Sequence, residues 1–169
     1  NLVTQAEITA NTIREGIVSI YDHKDMAGGV PANPWTIQDE NHNIIEPQNM
    51  AGTMFRSRVV DAVIPASRYN AETTLLDSIY SSMTTNESYV GIGVFLEPEA
   101  FYRGIENYAP YMSKTDAKNR TIMVYPYSMY ANKEYYLKAK ETRDLNLTNA
   151  YVDDSEEGGY VVSVVLPIF

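Results

Sequence analysis

The sequence contains no cysteine. That excludes disulfides, thiolate metal sites and a cysteine nucleophile. No stretch reaches the roughly 18–20 apolar residues of a membrane-spanning helix. No secretory leader is recognisable. Basic residues are sparse: 13 Lys and Arg stand against 22 Asp and Glu, a net charge of −9. Without Lys/Arg clusters to neutralise phosphates, nucleic acid is not an expected partner. Histidine occurs only twice, at His23 and His42. Acids flank both, Asp22 and Asp25 near the first and Asp39 and Glu40 near the second. No tight ligand spacing such as His-x-x-x-His accompanies them, so they read as solvated loop residues. Gly-x-Ser-x-Gly is absent. Gly91-Ile-Gly93 sits inside a strand-like run, without the third glycine or helix start of a nucleotide loop. No metal, no cofactor and no catalytic residue is expected.

What is present is an ordinary globular composition, 44% hydrophobic and 21% charged, over 169 residues. That is enough for one domain with its own core. Tyrosine is the outlier, with 14 residues against one Trp and four Phe. Its ring is apolar and its tip polar, which suits half-wet pockets and interfaces. Strands also favour it, so one tyrosine alone points to nothing.

Residues 1–21 read as an amphipathic helix, with Leu2, Ala6, Ile13, Ile17 and Ile20 at helical spacing. The 6, 13, 20 step is a heptad, which suits packing on a sheet or a partner helix. From Asp25 to Pro65, glycines and prolines punctuate a polar stretch, with one short helix expected around Gln48–Val60. Asn70–Thr84 reads as a second helix, capped by Asn70 and burying Leu75, Leu76, Ile79, Tyr80 and Met83. The period then changes to two. Strands are expected at Tyr89–Phe95, at Thr121–Tyr127 with Pro126 marking an edge or end, from Ala150 to Asp153, and at Tyr160–Pro167. Ala100–Ala109 reads as a helical or irregular connection, and Asn132–Lys140 as a short helix or turn. The expected class is α+β, a long N-terminal helix packed on an antiparallel sheet module.

Asp153-Asp154 and Glu156-Glu157 form an acidic run that reads as a solvated hairpin turn. It lacks the alternating ligand pattern of a Ca²⁺ loop. Tyr135 and Tyr136 are adjacent on a helix and point about 100° apart, so one packs and the other faces a groove.

The order of several motifs resembles the Cache family of PAS-like extracytoplasmic sensor domains of chemoreceptors and sensor histidine kinases. Tyr89-Val-Gly-Ile-Gly-Val-Phe-Leu-Glu-Pro98 is followed by an aromatic loop, Phe101-Tyr-Arg-Gly104. Glu134-Tyr-Tyr-Leu-Lys-Ala-Lys-Glu-Thr142 is similar to the family's paired aromatics and basic residue. Leu147-Thr-Asn-Ala-Tyr-Val-Asp153 and Val161-Val-Ser-Val-Val-Leu-Pro-Ile168 resemble its two following strands. The resemblance implies one extracytoplasmic sensor domain over 1–169: a long helix at 1–22, loops and a second helix over 23–88, and a PAS-like ligand-binding sheet over 89–169. It also implies a further strand after Pro167-Ile168, a membrane-proximal module and membrane anchors, all outside these residues.

In the family the ligand lies between the sheet and the helix and loops that cover it. The resemblance therefore implies a ligand site at Tyr125, Tyr127, Lys133, Tyr135, Tyr136, Tyr151 and Asp153. The Arg and Trp of the amino-acid-binding pattern are missing. Lys133 and Tyr135 stand in their approximate places, and a lysine cannot reproduce an Arg fork. The implied ligand is a small polar metabolite of the amino acid, organic acid or amine class. The signal would pass through the N-terminal helix to a cytoplasmic output domain. Two other classes of function fit the residues. One is a homodimerisation or protein-interaction module with residues 1–21 as its seam. The other is a carbohydrate-binding domain, which would display exposed, coplanar aromatics.

Overall fold

Asn1 starts the first helix, its Oδ1 accepting the Val3 N–H at 2.8 Å and satisfying a donor that the first turn leaves open. Helix α1 runs over Leu2–Tyr21. The computed structural model describes residues 1–21, 35–45, 54–148, 151–152, 160–161 and 164–165. Ile13 and Ile17 of α1 are buried in the main core, with Ala6 packed against it. Ala6 and Ile13 of the heptad stripe are thus used within the chain, in the core that α1 shares with α2. Leu2, Val3 and Ile8 remain exposed.

Helix α2 spans Ala66–Thr85. It begins five residues earlier than the Asn70 cap implies, directly after Pro65, whose extended backbone (φ −63°, ψ 159°) makes it the N-cap. Asn70 instead lies inside the helix, its carbonyl accepting from the Thr74 hydroxyl at 3.1 Å. Leu75, Leu76, Ile79 and Met83 are buried, as their spacing predicts, while Tyr80 is only partly so.

Preceding α2 is a hairpin, not the second half of a helix at 48–60. Strand β3 (Met54–Arg56) pairs antiparallel with β4 (Val63–Pro65), in the register Phe55↔Ile64. The connection carries Val59 and Val60, and β4 adds Val63 and Ile64, all β-branched and better suited to extended backbone. Residues 48–53 lie outside the described part.

Five strands form the main sheet, in the order β2-β1-β7-β6-β5. They are β1 (Thr36–Gln38), β2 (Ile44–Ile45), β5 (Gly91–Gly93), β6 (Pro110–Ser113) and β7 (Thr121–Val124). All neighbours are antiparallel except β1 and β7, which run parallel with Ile37 beside Ile122. Parallel neighbours need a long crossover. The chain from β2 to β6 supplies it. The class is α+β, and the sheet is mixed rather than purely antiparallel.

Backbone pairing continues past β5. Val94 donates to the Pro110 carbonyl at 3.0 Å and Leu96 to that of Tyr108 at 3.2 Å. Strand β6 and helix α3 (Lys114–Asn119) fall where no element is expected. Their junction is a capping box: Ser113 Oγ accepts from Asp116 N at 3.1 Å, and Asp116 Oδ2 accepts from Ser113 N at 3.0 Å.

Alternation along the strands gives the sheet two faces. Ile92, Val94 and Leu96, with Met112, Ile122 and Val124, enter the main core beside α1 and α2. Phe95 and Tyr125 belong to a second cluster, and Tyr111 packs edge-on against Tyr125. Ala109, just before β6, and the helices α4 (Tyr127–Tyr130) and α5 (Glu134–Thr142) contribute the rest of that cluster. Tyr127 is therefore a helical residue; Pro126 ends the strand segment and caps α4. Among the described residues there are three further short pairs: β8 (Asn146–Leu147) with β11 (Val164–Val165), and β9 (Tyr151–Val152) with β10 (Tyr160–Val161), both antiparallel, besides β3–β4.

A charged pair is buried where the β3–β4 connection meets α2. Glu72 accepts from Ser57 Oγ at 2.5 Å, Arg58 N at 2.8 Å and Tyr108 Oη at 3.1 Å. The Arg58 guanidinium lies 3.9 Å from the Tyr69 ring centroid and donates to Thr73 Oγ1. Burial, the strongest influence on Glu72, raises its carboxyl above the ordinary value despite these donors.

Candidate functional site

Phe95 reaches the second face because it alternates with Val94 and Leu96. Around it stand Tyr125, Tyr127, Tyr130, Tyr135 and Tyr136. Tyr127 and Tyr130 are one helical turn apart in α4, so both project to the same side. Tyr136 comes from α5. The three rings meet pairwise edge to face: Tyr127–Tyr130 at 5.3 Å and 88°, Tyr127–Tyr136 at 6.2 Å and 80°, and Tyr130–Tyr136 at 5.1 Å and 74°. Such pairs are favoured by the ring quadrupole, each edge pointing at a negative face.

Tyr130 anchors the group. Its hydroxyl donates to the Leu96 carbonyl at 2.5 Å, fixing α4 to the strand side of the site. Burial pushes that hydroxyl's pKa well above the usual tyrosine range. Tyr136 is also buried and its pKa is raised, by burial first and by its hydroxyl's interaction with the Glu97 carboxylate second.

Glu97, just after the β5 segment, lies at the rim. It accepts from Tyr127 Oη at 3.1 Å and pairs with Lys140 Nζ at 2.5 Å. The Tyr136 hydroxyl interacts with the same carboxylate without an aligned hydrogen bond. Burial would raise the Glu97 carboxyl, but Lys140, Tyr136 and Tyr127 together hold it below its ordinary value. The partnership with Glu97 raises Lys140 in turn. The Lys140 ammonium lies 5.7 Å from the Tyr136 ring centroid. The arrangement is an apolar aromatic wall edged by one carboxylate and one ammonium.

Of the residues that the sequence resemblance marks, Tyr125, Tyr127, Tyr135 and Tyr136 come together here. Tyr136 is the buried one of the adjacent pair and Tyr135 the partly exposed one. Lys133 is exposed and forms the N-cap of α5, its carbonyl accepting from Tyr136 N at 3.1 Å and Leu137 N at 3.0 Å. Tyr151 lies in β9, with its backbone paired to Val161. Asp153 and the turn at 154–159 lie outside the described residues. Phe95, Glu97, Tyr130 and Lys140 were not among the marked residues. Their signals are the strand alternation at 94–96 and the one-turn spacings 127/130 and 136/140.

Among the described residues, no group of three or more His, Asp or Glu is placed to hold a metal ion. His42 is an exposed loop residue with φ 66°, and His23 lies outside the described part. No helix among the described residues is long and apolar enough to cross a membrane.

Residues 75–169, more than half of the chain, match the family model described as methyl-accepting chemotaxis protein-like, first PDC sensor domain. The chain belongs to this family. The matched span contains the whole aromatic site, from Phe95 to Lys140. It is therefore a PDC sensor domain, PAS- and Cache-like, of the kind that does the extracytoplasmic sensing in chemotaxis-type receptors. No curated protein and no solved structure is significantly similar to the chain.

Proposed function

We propose that this PDC domain binds a small polar metabolite of the amino acid, organic acid or amine class on the tyrosine-lined face. The ligand would lie between the sheet and α4–α5, touching Tyr125, Tyr127, Tyr135 and Tyr136, with Tyr151 and Asp153 as further contacts. The observation that carries this reading is the second aromatic cluster. It stands apart from the main core and places the Tyr127 hydroxyl and a Glu97–Lys140 pair at its rim. Apolar walls with a few polar groups are what a small-molecule site needs.

Binding must favour one of two arrangements, or no signal results. Helix α5 touches β8 and β11, and β11 touches α1. A shift of α5 on binding can therefore reach the long helix through one strand. From α1 the bias would cross the membrane to an output domain outside these residues, with the sensor on the extracytoplasmic side.

A thermal-shift screen of amino acids, organic acids, amines and purines tests the reading. The cognate compound should raise the melting temperature, and Tyr135→Ala, Tyr151→Ala and Asp153→Ala should each lose that gain while staying folded. If all three variants keep the full gain, the site lies elsewhere.

Exposed Leu2, Val3 and Ile8 on α1 favour a second reading, a homodimer through that helix. Sedimentation with and without the compounds separates the two. A constitutive dimer that no compound alters supports the interaction module.

A further inference from the structure

We infer that Arg58 is the receptor for a small singly charged oxyanion, a carboxylate of formate or acetate size, held between the β3–β4 connection and α2. The site is on the main-core side of the sheet, away from the tyrosine face, and it precedes the span that the family match covers. It does not depend on the metabolite reading.

The guanidinium carries the inference. Arg58 has no exposed surface, and its Nε and Nη2 have no hydrogen-bond partner among the described residues. It joins no ion pair among them either. The Nε–H and the neighbouring Nη2–H run parallel along one edge of the plane, the edge that a carboxylate grips with both oxygens. Charged donors left unmade in a core are destabilising, so this edge calls for an acceptor.

The rest of the group is already fixed. Its face lies on Tyr69, 3.9 Å from the ring centroid. Its Nη1 donates to Thr73 Oγ1, whose own proton goes to the Tyr69 carbonyl at 3.0 Å. Stacking uses the face of a guanidinium and leaves its edges for hydrogen bonds. With the face and one corner tied, the open edge is preorganised for its ligand.

Glu72 does not fill that edge. Its oxygens accept from Ser57 Oγ, Arg58 N and Tyr108 Oη. Burial also draws it toward the neutral acid, so an arriving anion meets the arginine charge above all. One negative charge matches this cation, whereas a dianion would bring excess buried charge. Thr73 is half-buried, so the fork lies one side chain below the surface. An occupant would tie the β3–β4 connection to α2 a second time, and α2 packs on α1.

Sodium formate, acetate or sulfate, exchanged for sodium chloride at constant ionic strength, tests this through the arginine Nε–Hε resonances. Formate and acetate should move the Arg58 signal along a saturating curve, while that of exposed Arg103 stays in place. The melting temperature should rise with the logarithm of formate concentration beyond saturation. Arg58→Lys keeps the charge without the fork and should lose that rise. If this variant does not fold, the wild-type Arg58 signal decides alone. An Arg58 signal that neither formate nor acetate moves overturns the inference, and water then satisfies the edge. An equal rise in Arg58→Lys overturns it too, because the effect is then not the fork's. Sulfate binding more tightly than formate overturns the singly charged class.

Discussion

Arg58 and Glu72 are buried together, yet their hydrogen bond runs through the backbone: Arg58 N donates to Glu72 Oε2 at 2.8 Å while the guanidinium turns to Tyr69 and Thr73. Glu72 thus fastens the β3–β4 connection to α2, and through Tyr108 to the strand segment before β6. Replacing Glu72 by Leu strands three buried donors, from Ser57, Arg58 and Tyr108. The expected loss is ~3 kcal/mol or more in urea denaturation.

The same carboxyl should leave a pH signature. Burial raises its folded-state pKa above the ordinary 4.5. Between 4.5 and the raised value the folded chain therefore holds a proton that the unfolded chain has lost. Stability from this group is full below 4.5 and declines as pH rises through the folded value. Glu72→Gln cannot titrate. The wild-type curve of urea midpoint against pH, minus that of Glu72→Gln, should slope downward across this window. A flat difference would show that burial does not govern the group.

Tyr130→Phe keeps the ring packing and removes only the donor to the Leu96 carbonyl. An unsatisfied buried carbonyl should cost ~1–2 kcal/mol. Tyr136→Phe removes a hydroxyl with no aligned hydrogen bond and should cost less. Equal losses would contradict the anchoring role given to Tyr130.

A Cβ at Gly93 would lie 2.6 Å and 2.8 Å from Phe95 ring atoms and 2.9 Å from the Tyr111 ring. Gly93→Ala should therefore cost ~1–3 kcal/mol by crowding. It should also alter the near-ultraviolet circular dichroism as Phe95 and Tyr111 shift against Tyr125. Gly91→Ala meets mainly the hydroxyl end of Tyr111, which can swing away, and should be milder. The reverse ranking would mean that the ring face is loosely packed.

Glu97 should titrate below 4.5 in a carbon-detected NMR experiment, because the Lys140 ammonium, the Tyr127 hydroxyl donor and the nearby Tyr136 hydroxyl outweigh its burial. Its contribution is present above the unfolded value and lost as pH falls through the depressed folded value. Lys140→Met should move the midpoint upward. An unmoved midpoint would leave the tyrosine hydroxyls as its sole effective partners.

Local pattern carried much of this domain. Helix α1 and the buried face of α2 follow from apolar spacing within one element, whereas the segment near Tyr135 was legible only as a short helix or turn. The tyrosines at 125, 127, 135 and 136 came together because the motif order placed them on one side of the sheet. The sheet's pairing was not legible. Strands β1 and β2 are two or three residues long, too short for a period to register, and the pairing that joins β1 to the rest of the sheet lies far along the chain, at β7. Strand β6 is masked by Pro110, which lacks a donor yet whose carbonyl accepts from Val94. Tyr130 and Glu97 escaped notice for a related reason. Each acts through a partner distant in sequence, Leu96 for one and Lys140 for the other.

The parallel pairing of Ile37 with Ile122 also sets an order of events. The β5–β6–β7 meander can form from nearby chain, and α2 can settle on it. Strand β1 must wait, because its only sheet neighbours are β2 and β7. On the ribosome, the β1–β2 hairpin therefore emerges long before the edge it joins exists. Closing that long loop carries an entropic cost, repaid only when the meander is in place. Docking of β1 should be the late, slow step in the maturation of this sensor.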